Sequence, residues 1–584
     1  MEILRGIAVS PGLVIGPAFL LEDEARRVVR RYTPSSASAA EAERAESALH
    51  ASVVELEEVK ERAERAMGAE AAKIFLFHIG VLQDPSLRDP IFERIGERHM
   101  AAEHAVDATF GDWARRFQAM GDSAFTTKVN DLEDLRNRVL SHLMGEHNRQ
   151  LDDLRNPAIV VADDLTPSQA ASFDRDLVRG FVTDRGGRTS HTAIVARALG
   201  IPAVVGVRGV AELADENVTL IVDGGEGTVI LDPTEEQLER YLTRKQRFEQ
   251  RRTVLREQAA ESGTTTDGVA IRLLGNIEFP DEIDQVLEAG GEGVGLYRTE
   301  FLYLTRDREP TEEEHLEAYL RCVRKLEGRE LVIRTVDLGA DKYTQHRVEL
   351  PERNPFLGNR SIRYCLSNLG MFKTQLRALL RASAEGPLKI MFPLVTTVQE
   401  LRRAKSIVRD VMEDLAEEGK PFDADAAMGI MVEVPAAAVT ASTFARDAAF
   451  FSIGTNDLVQ YTLAVDRTNE QVADLFTSMH PAVLRLVREV MRGARYRDVP
   501  VSCCGESAGE IDFAALLIGL GVRTLSVGSY SIPQLKRLVR SVSAEECMRL
   551  ARRAMSLESA ADVTAFVRER LRESVPEAFD STED

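Results

Sequence analysis

Residues 178–200 read VRGFVTDRGGRTSHTAIVARALG, and this stretch encodes a strand, a glycine turn and a helix in direct succession. Val178–Thr183 has the β-branched and aromatic residues that are typical of a short buried strand. Residues 192–199 have helical composition, with Ser190 as the predicted N-cap and Gly200 as the stop signal. A strand that passes into a helix through two glycines predicts an α/β domain around it.

His191 lies in the first turn of that predicted helix. Unpaired backbone N–H groups and the positive end of the helix dipole favour an anion at this position. The same field disfavours a protonated imidazole, and a neutral imidazole is a nucleophile. The position therefore indicates a histidine that carries a phosphoryl group. A capped helix with an incidental histidine is the alternative, and this stretch alone leaves both open.

The chain has 584 residues, which is too long for a single core, and its hydrophobic pattern divides it into four parts. Short apolar segments and turns predict one α/β domain made of residues 1–30 and 147–231, with a hairpin turn at glycines 224, 225 and 227. Apolar residues at helical spacing predict an all-helical insertion at 31–146, with helices from about residue 36 and at 70–83, 90–118 and 128–148.

A third segment, residues 232–262, is predicted to be a linker helix. Asp232 is the expected N-cap, Pro233 lies in the first turn, and Glu235 completes a capping box. The segment has few apolar positions, which is typical of a helix that bridges domains through solvent. At ~1.5 Å per residue it can span ~40 Å.

Residues 263–575 alternate strand-like and helical segments, and eight such repeats predict a (β/α)₈ barrel. The strand-like segments are IRLLGNIE (271–278), GVGLYRTE (293–300), LVIRTVDLG (331–339), LKIMFPLV (388–395), GIMVEVP (429–435), FFSIGTNDL (450–458), VSCCGE (501–506) and TLSVGS (524–529). Barrel active sites form at the carboxyl ends of the strands. Several polar residues occupy those ends: Arg298, Arg334, Glu433, Asn456, Asp457 and Cys504.

The residue types at these strand ends predict a site for a small, highly anionic phosphate ester. Arginines present planar forks that fit phosphate and carboxylate, and Arg467 adds a third cation just beyond the sixth strand. Glu433 and Asp457 offer hard oxygen ligands for Mg²⁺. Cys504 is placed to move a proton at carbon, whereas neighbouring Cys503 is expected to face the core.

The bulk composition excludes several classes of protein. The net charge of −21 argues against non-specific binding of nucleic acid and permits a basic protein partner. No apolar run approaches the ~18 residues that span a membrane, and the first residues do not resemble a signal peptide. The five cysteines are odd in number and lack metal-type spacing, so neither disulfides nor a zinc site is expected. We therefore expect a cytoplasmic protein.

The chain resembles the enzyme I family of the bacterial phosphoenolpyruvate:sugar phosphotransferase system over essentially its full length. The motifs that carry the resemblance are TDRGGRTSHTAIVARALGIPAVVG (183–206), GVGLYRTEFLY (293–303), IRTVDLGADK (333–342), NPFLGNRSIR (354–363), FSIGTNDLVQYTLAVDR (451–467) and CCGESAGE (503–510). The resemblance implies a swivelling phosphohistidine α/β domain, an inserted helical domain that binds the phosphocarrier HPr, a linker helix and a TIM barrel. It further implies that the barrel binds phosphoenolpyruvate and forms a homodimer.

The resemblance also implies a role for each candidate residue. His191 accepts the phosphoryl group, Glu433 and Asp457 hold Mg²⁺, and Cys504 donates a proton. The substrate is held by Arg298, Arg334, Asn456, Asp457 and Arg467, with Lys342 and Arg360 nearby. Residues 169–171 read QAA where relatives often carry a hydroxyl that orients the histidine. Thr166 and Ser168 are the alternatives for that role.

The implied reaction transfers the phosphoryl group of phosphoenolpyruvate to His191 and then to a histidine of HPr, with release of pyruvate. Because His191 must serve both the barrel and the carrier, we expect the α/β domain to swing about hinges near residues 231–232 and 262–263. One alternative is a pyruvate-phosphate dikinase or phosphoenolpyruvate synthase, which needs an ATP-binding domain that we do not expect in this chain. Another is a non-catalytic regulatory relative, which the retained chemical residues disfavour.

Overall fold

The computed structural model describes residues 2–10, 12–21, 28, 30–67, 74–119, 123–144, 154–165, 177–186, 196, 201–257, 261–304, 308–338, 354–467, 469, 472 and 475–575. The chain divides into two compact units, Met1–Arg252 and Thr253–Asp584. None of the helices within these described ranges combines the length and the apolar character needed to cross a membrane.

The first unit contains an eight-stranded mixed sheet. Its strands are β1 (Glu2–Arg5), β2 (Ile7–Ser10), β3 (Leu13–Leu20), β4 (Ala158–Ala162), β5 (Val178–Thr183), β6 (Ala203–Val205), β7 (Thr219–Asp223) and β8 (Thr228–Leu231), in the order β1-β8-β7-β3-β4-β5-β6-β2. Strands β3 to β6 run parallel, and β7 and β8 form the predicted hairpin at the glycine turn. The residues of β4 alternate between two apolar clusters, so the sheet packs a core on each face.

An all-helical segment joins β3 to β4. Its helices are α1 (Ser38–Met67), α2 (Ile74–Gln83), α3 (Pro85–Gly96), α4 (Ala102–Ala119) and α5 (Ser123–Met144), and they enclose an apolar cluster of their own. The single helix predicted at 90–118 is wrong, because α3 ends at Gly96 and a separate helix, α4, begins at Ala102. His99 has a φ of 54°, and Met100 forms an isolated β-bridge with Tyr32, which a continuous helix does not permit.

A short helix α6 (Val210–Leu213) precedes β7, and the predicted linker helix is α7, Glu235–Glu257. Its predicted N-cap, Asp232, is wrong, because that residue has a φ of 50° and lies before the helix. Thr234 caps it instead. The Thr234 Oγ1 accepts from the Gln237 N–H at 3.3 Å, and Gln237 Oε1 accepts from the Thr234 N–H at 3.1 Å. The division between the two units falls inside this helix.

The second unit is a closed barrel of eight parallel strands, which confirms the predicted (β/α)₈ architecture. The strands are β9 (Arg272–Ile277), β10 (Gly293–Tyr297), β11 (Glu330–Arg334), β12 (Leu388–Phe392), β13 (Met428–Val432), β14 (Phe451–Ile453), β15 (Val501–Cys503) and β16 (Thr524–Val527). Each lies within its predicted segment or starts one residue before it. The predicted domain boundaries (1–30 with 147–231, 31–146, 232–262 and 263–575) stay predictions.

Helices surround the barrel strands. The described ones are α8 (Glu282–Glu288), α9 (Phe301–Leu304), α10 (Glu312–Leu326), α11 (Ile362–Ser367), α12 (Leu369–Ser383), α13 (Val398–Glu417), α14 (Pro435–Val439), α15 (Ala441–Phe444), α16 (Thr455–Leu463), α17 (Pro481–Arg495), α18 (Ile511–Leu520), α19 (Ile532–Ser541), α20 (Ala544–Ala554) and α21 (Ala560–Ser574). Strand and helix side chains share one large apolar cluster. A small second cluster is made largely of strand residues and includes Leu296, Val332, Met391 and Met431.

Candidate active site

The carboxyl ends of the barrel strands hold most of the predicted site residues. Arg298 follows β10, Arg334 ends β11, Glu433 follows β13 and Cys504 follows β15. Asn456 and Asp457 lie in the first turn of α16, one short loop after β14. Because parallel strands of a barrel end at the same rim, the fold brings these side chains to one face.

Arg334 is the best enclosed cation of this rim, with 8% of its surface exposed. Its guanidinium lies 3.1 Å from Glu300 Oε1 and 3.0 Å from Asp337 Oδ2, and it also contacts the Met431 sulfur at 3.8 Å. Burial disfavours the charge, but the two carboxylates outweigh it and raise the pKa of Arg334. The fork is therefore charged and held in a fixed orientation.

Arg360 joins the same network from the segment after β11. Its guanidinium lies 2.8 Å from Asp337 Oδ1 and 3.1 Å from Asp457 Oδ2, and it donates to the Tyr461 hydroxyl at 3.3 Å. Burial alone would raise the pKa of Asp337, but Arg360 and Arg334 on either side lower it well below its usual range. Asp337 thus aligns two arginines that the sequence predicts as substrate contacts.

Arg298 and Arg467 lie at the margins of this network. The Arg298 guanidinium is 3.0 Å from Glu278 Oε1 and 4.0 Å from Glu506 Oε1, and these acids raise its pKa against the effect of burial. Arg467 follows α16, and its backbone N–H donates to Gln460 Oε1 at 3.3 Å. Among the described residues, the ion pairs that join Arg334 to Asp457 do not include Arg467.

Asn456 contacts a neighbouring strand end, since its Oδ1 accepts from the Glu506 N–H at 3.2 Å. Cys504, two residues before Glu506, is 2% exposed, and its thiol donates to the Ile453 carbonyl at 3.6 Å. Burial raises the pKa of this thiol to about 11, and Glu433 adds to the shift. The group is therefore a protonated thiol at neutral pH. Cys503 packs in the large cluster with helix residues, as predicted.

Glu433 and Asp457 are the two carboxylates predicted to bind metal. Glu433 is 3% exposed and accepts from the Leu394 N–H at 2.6 Å. Burial, with Asp457 and Asp337 as nearby negative charges, raises the pKa of Glu433 to about 8. A divalent cation would relieve this repulsion, and Mg²⁺ typically takes one or two protein carboxylates. The pair fits such a cation, although no cluster of three or more His, Cys, Asp or Glu ligands occurs in the described part of the chain.

Two predicted site residues, His191 and Lys342, lie outside the described residues. The strand that leads to His191 is described, and Val178–Thr183 has the predicted bounds. Gly186, at the start of the glycine turn, has a φ of 109°, which favours glycine over other residues. The phosphoryl acceptor itself therefore stays a prediction.

Three family models match the chain. They are the PEP-utilising enzyme N-terminal model over residues 5–128, the mobile domain model over 154–227 and the PEP-binding domain model over 252–544. The phosphoenolpyruvate-protein phosphotransferase of Bacillus subtilis is 41% identical over 573 residues, which is 98% of this chain and 100% of that protein. The chain belongs to the phosphoenolpyruvate-protein phosphotransferase family.

Further relatives carry the same description. The phosphoenolpyruvate-protein phosphotransferase of Listeria monocytogenes is 43% identical over 565 residues, covering 97% of this chain and 98% of that protein. A solution structure of Enzyme I is 37% identical and covers 42% of this chain and 99% of its own, with a TM-score of 0.38. Because the relatives from Bacillus subtilis and Listeria monocytogenes are both named phosphoenolpyruvate-protein phosphotransferase, the chain is an enzyme of this family. A match along the whole length of a phosphotransferase also favours that reading over a dikinase or a synthase.

The sequence did not identify the acidic partners of the phosphotransferase's arginines. Glu278, Glu300 and Asp337 hold the three guanidiniums, and Tyr461 adds a hydroxyl. Glu300 and Asp337 both lie within motifs that carried the family resemblance, two residues after Arg298 and three residues after Arg334. An acid so close to a candidate arginine at a strand end is the signal that could have found Glu300 and Asp337.

Proposed function

We propose that this chain transfers the phosphoryl group of phosphoenolpyruvate to its own His191 and then to the phosphocarrier protein HPr, with release of pyruvate. The observation that carries the proposal is 41–43% identity, over nearly the full chain, to phosphoenolpyruvate-protein phosphotransferases. The geometry of the barrel rim supports it, because charged arginine forks converge beside two carboxylates and a protonated thiol.

Substrate binding is assigned to the arginines of the rim. Arg298, Arg334 and Arg360 are each aligned by a carboxylate, so their forks are pre-oriented for the phosphate and carboxylate groups of phosphoenolpyruvate. Asn456, Asp457, Arg467 and Lys342 complete the proposed substrate contacts. Positive charge fixed in a buried site stabilises the charge that develops on the phosphoryl oxygens during transfer.

Mg²⁺ is the proposed metal, with Glu433 and Asp457 as the protein groups that would hold it. When bound, the ion supplies positive charge close to the substrate oxygens. The two carboxylates suit this role because burial, and then the charges of Asp457 and Asp337, raise the pKa of Glu433, and a bound cation would favour its ionised form. Arg360 binds Asp457 and thereby fixes the orientation of one proposed ligand.

The chemistry consists of one phosphoryl transfer and one proton transfer. The phosphorus–oxygen bond of phosphoenolpyruvate breaks as a phosphorus–nitrogen bond to the His191 ring forms. The enolate that leaves takes a proton from the Cys504 thiol at its methylene carbon and becomes pyruvate. The thiolate then regains a proton from solvent. Burial of Cys504 keeps the proton on sulfur until it is needed.

The remaining parts of the proposal concern partners and location. The helical segment between β3 and β4 is proposed to bind HPr, and its first helix exposes Glu43, Glu57 and Glu58, which suit a basic partner. We further propose a homodimer through the barrel and a cytoplasmic location. Sedimentation velocity over a range of chain concentrations tests the dimer, and a monomer at all concentrations would contradict it.

Labelled phosphoenolpyruvate tests the function directly. Incubation with Mg²⁺ should give an acid-labile, base-stable phosphate on His191 and one pyruvate per chain, and added HPr should remove the label. His191→Ala should abolish labelling. His480→Ala is the matched control, because that ring caps α17 through the Ala482 N–H and should not affect the chemistry. Label on a different side chain would overturn the assignment.

A further inference from the structure

A chain of buried neutral hydrogen bonds connects two helices outside the barrel to the strand ends that carry Arg298 and Arg334. It centres on Gln375 of α12, whose side chain is fully buried. Gln375 Oε1 accepts from the Val336 N–H at 3.0 Å, and its Nε2 donates to Thr299 Oγ1 and to the Tyr319 hydroxyl, both at 3.1 Å. The amide oxygen and both amide protons are thus used.

The direction of each hydrogen bond follows from the backbone donor. The Val336 N–H can only donate, so the amide oxygen must face it and the amide nitrogen must face the two hydroxyls. Tyr319, which accepts from Gln375, is then free to donate to His315 Nδ1 at 3.0 Å.

The Gln375 amide is hydrogen-bonded to both the segment after β10 and the segment after β11, which carry the proposed substrate-binding arginines. Thr299 lies between Arg298 and Glu300, and its hydroxyl donates to the Arg334 carbonyl at 3.0 Å. Val336 precedes Asp337, whose N–H donates to Glu300 Oε1 at 2.8 Å. Gln375 bridges these two segments from the helix layer outside the barrel.

We propose that Gln375 is a positioning residue that fixes the spacing between the two strand ends bearing Arg298 and Arg334. It acts through Thr299 and Val336 and does not touch the substrate. The inference rests on the proposed function, since it assumes that these arginines bind phosphoenolpyruvate. A small relative shift of two arginine forks would weaken binding of a planar, multiply charged ligand without unfolding the barrel.

The test compares Gln375→Met, which keeps the volume and removes all three hydrogen bonds, with Ser383→Ala. Ser383 is the matched control: it is buried on the same helix, and among the described residues its hydroxyl bonds to the Leu380 carbonyl and the Asp423 N–H. Single-turnover pyruvate release is followed against phosphoenolpyruvate concentration in both full-length variants. We expect the half-saturating concentration to rise about tenfold or more for Gln375→Met, with a smaller fall in maximal rate, and no change for Ser383→Ala.

A second pair of variants covers the case in which Gln375→Met does not fold. Thr299→Val removes the hydroxyl that accepts a hydrogen bond from the Gln375 amide, and Thr299→Ser keeps that hydroxyl. Loss of affinity in the valine variant with recovery in the serine variant supports positioning. Equal behaviour of the two, or a Gln375→Met variant that binds phosphoenolpyruvate normally, would overturn it.

A double-mutant cycle separates this inference from the function it rests on. If Gln375 acts through Arg334, then adding Gln375→Met to an Arg334→Ala chain should cost much less than it costs alone. Fully additive effects would contradict the positioning role and leave the function intact. A single Arg334→Ala variant with a normal rate would instead contradict the proposed binding site itself.

Discussion

Individual side chains at the barrel rim work as pairs of opposite charge. Each of the guanidiniums of Arg298, Arg334 and Arg360 has a buried or half-buried carboxylate beside it, and Asp337 serves two of them. Such pairs fix orientation more than they stabilise the fold, because removing two charges from water is costly. Breaking one pair leaves an uncompensated buried charge, so single substitutions here should have large effects.

Arg334→Lys tests the importance of the planar fork. The lysine keeps the positive charge but cannot contact Glu300, Asp337 and substrate in one plane. Truncation of a buried charged contact costs roughly 2–5 kcal/mol. We expect Arg334→Ala to lower kcat/KM by about two decades and Arg334→Lys to lower it clearly as well.

The control for Arg334→Lys is Arg308→Lys, because Arg308 forms a comparable pair with Glu314 on an exposed surface. That variant should keep the normal rate. Steady-state kinetics with phosphoenolpyruvate and HPr measures both. A wild-type rate for Arg334→Lys would contradict recognition through the fork.

Cys504→Ser separates the proton transfer from binding. The pKa of the Cys504 thiol is raised to about 11, so the proton is present throughout the neutral range and is lost only as the pH approaches that value. A serine hydroxyl is a far weaker acid, and pyruvate formation should fall while affinity for phosphoenolpyruvate stays close to normal. Titration calorimetry measures the affinity for phosphoenolpyruvate, and single-turnover pyruvate release measures the rate of pyruvate formation.

Cys503→Ala is the matched control for Cys504→Ser, since Cys503 packs with helix residues in the large apolar cluster of the barrel unit. It should lower stability but leave the ratio of binding to chemistry unchanged. Equal losses of binding and pyruvate release in Cys504→Ser would make that thiol a packing group.

At the scale of elements, the sequence predicted all eight barrel strands and their order. It extended most of them by two to five residues at the carboxyl end, because buried apolar residues can continue past the last paired residue, as Leu394 and Val395 do after Phe392. The break at 97–101 was missed, since apolar residues keep helical spacing across it, and the positive φ of His99 and the bridge between Met100 and Tyr32 have no signature in the sequence. The pairs that Arg298 forms with Glu278 and Arg334 forms with Glu300 were missed because contacts between different strands have no local signature, whereas Asp337 lies only three residues after Arg334.

Close contact between two strand-end loops gives a prediction at this scale. Gly505 follows β15, and a Cβ there would lie 1.5 Å from Thr455 Oγ1 and 2.7 Å from the Thr455 backbone nitrogen. The hydroxyl can rotate away, but the backbone cannot. Gly505→Ala should therefore displace the start of α16, which carries Asn456 and Asp457, and lower kcat/KM by about tenfold or more.

Gly370→Ala is the control for this substitution. Gly370 is the second residue of α12, and among the described residues no atom outside its own stretch of helix lies within 4 Å of the position that an alanine methyl group would take. Because alanine has less backbone freedom than glycine in the unfolded chain, Gly370→Ala should raise the free energy of unfolding by at most about 1 kcal/mol and leave the kinetics unchanged. Normal kinetics for Gly505→Ala would show that the loops adapt without moving the site.

At the scale of the whole molecule, the proposed phosphoryl acceptor and the proposed substrate site belong to different units. His191 falls within Met1–Arg252, whereas the rim residues fall within Thr253–Asp584. The expected swing of the α/β domain, with hinges near residues 231–232 and 262–263, stays a prediction. A disulfide that fixes this domain against the barrel should permit one half-reaction and block the other. Normal rates for both would contradict the swing.

His191→Ala tests the independence of the two units. The variant should bind phosphoenolpyruvate with unchanged affinity, because every described side chain of the proposed binding site lies in the second unit. It should release no pyruvate and accept no phosphoryl group from phosphorylated HPr. Titration calorimetry measures the first property and pyruvate release the second. Loss of substrate affinity would show that the histidine itself contributes to binding.

The position of the helical segment between β3 and β4 has a consequence of a different kind. These strands are parallel neighbours, with Ala18 opposite Ile159, and such a pair needs only a crossover of about a dozen residues. Here the crossover is a whole helical body with a separate core. The sheet fixes the positions of the two ends of this helical segment, because they continue into β3 and β4, but it does not constrain the helices between them. Under the proposed function, one recognition module could therefore replace another at this point, so that the choice of carrier diverges while the sheet that leads to His191 is inherited unchanged.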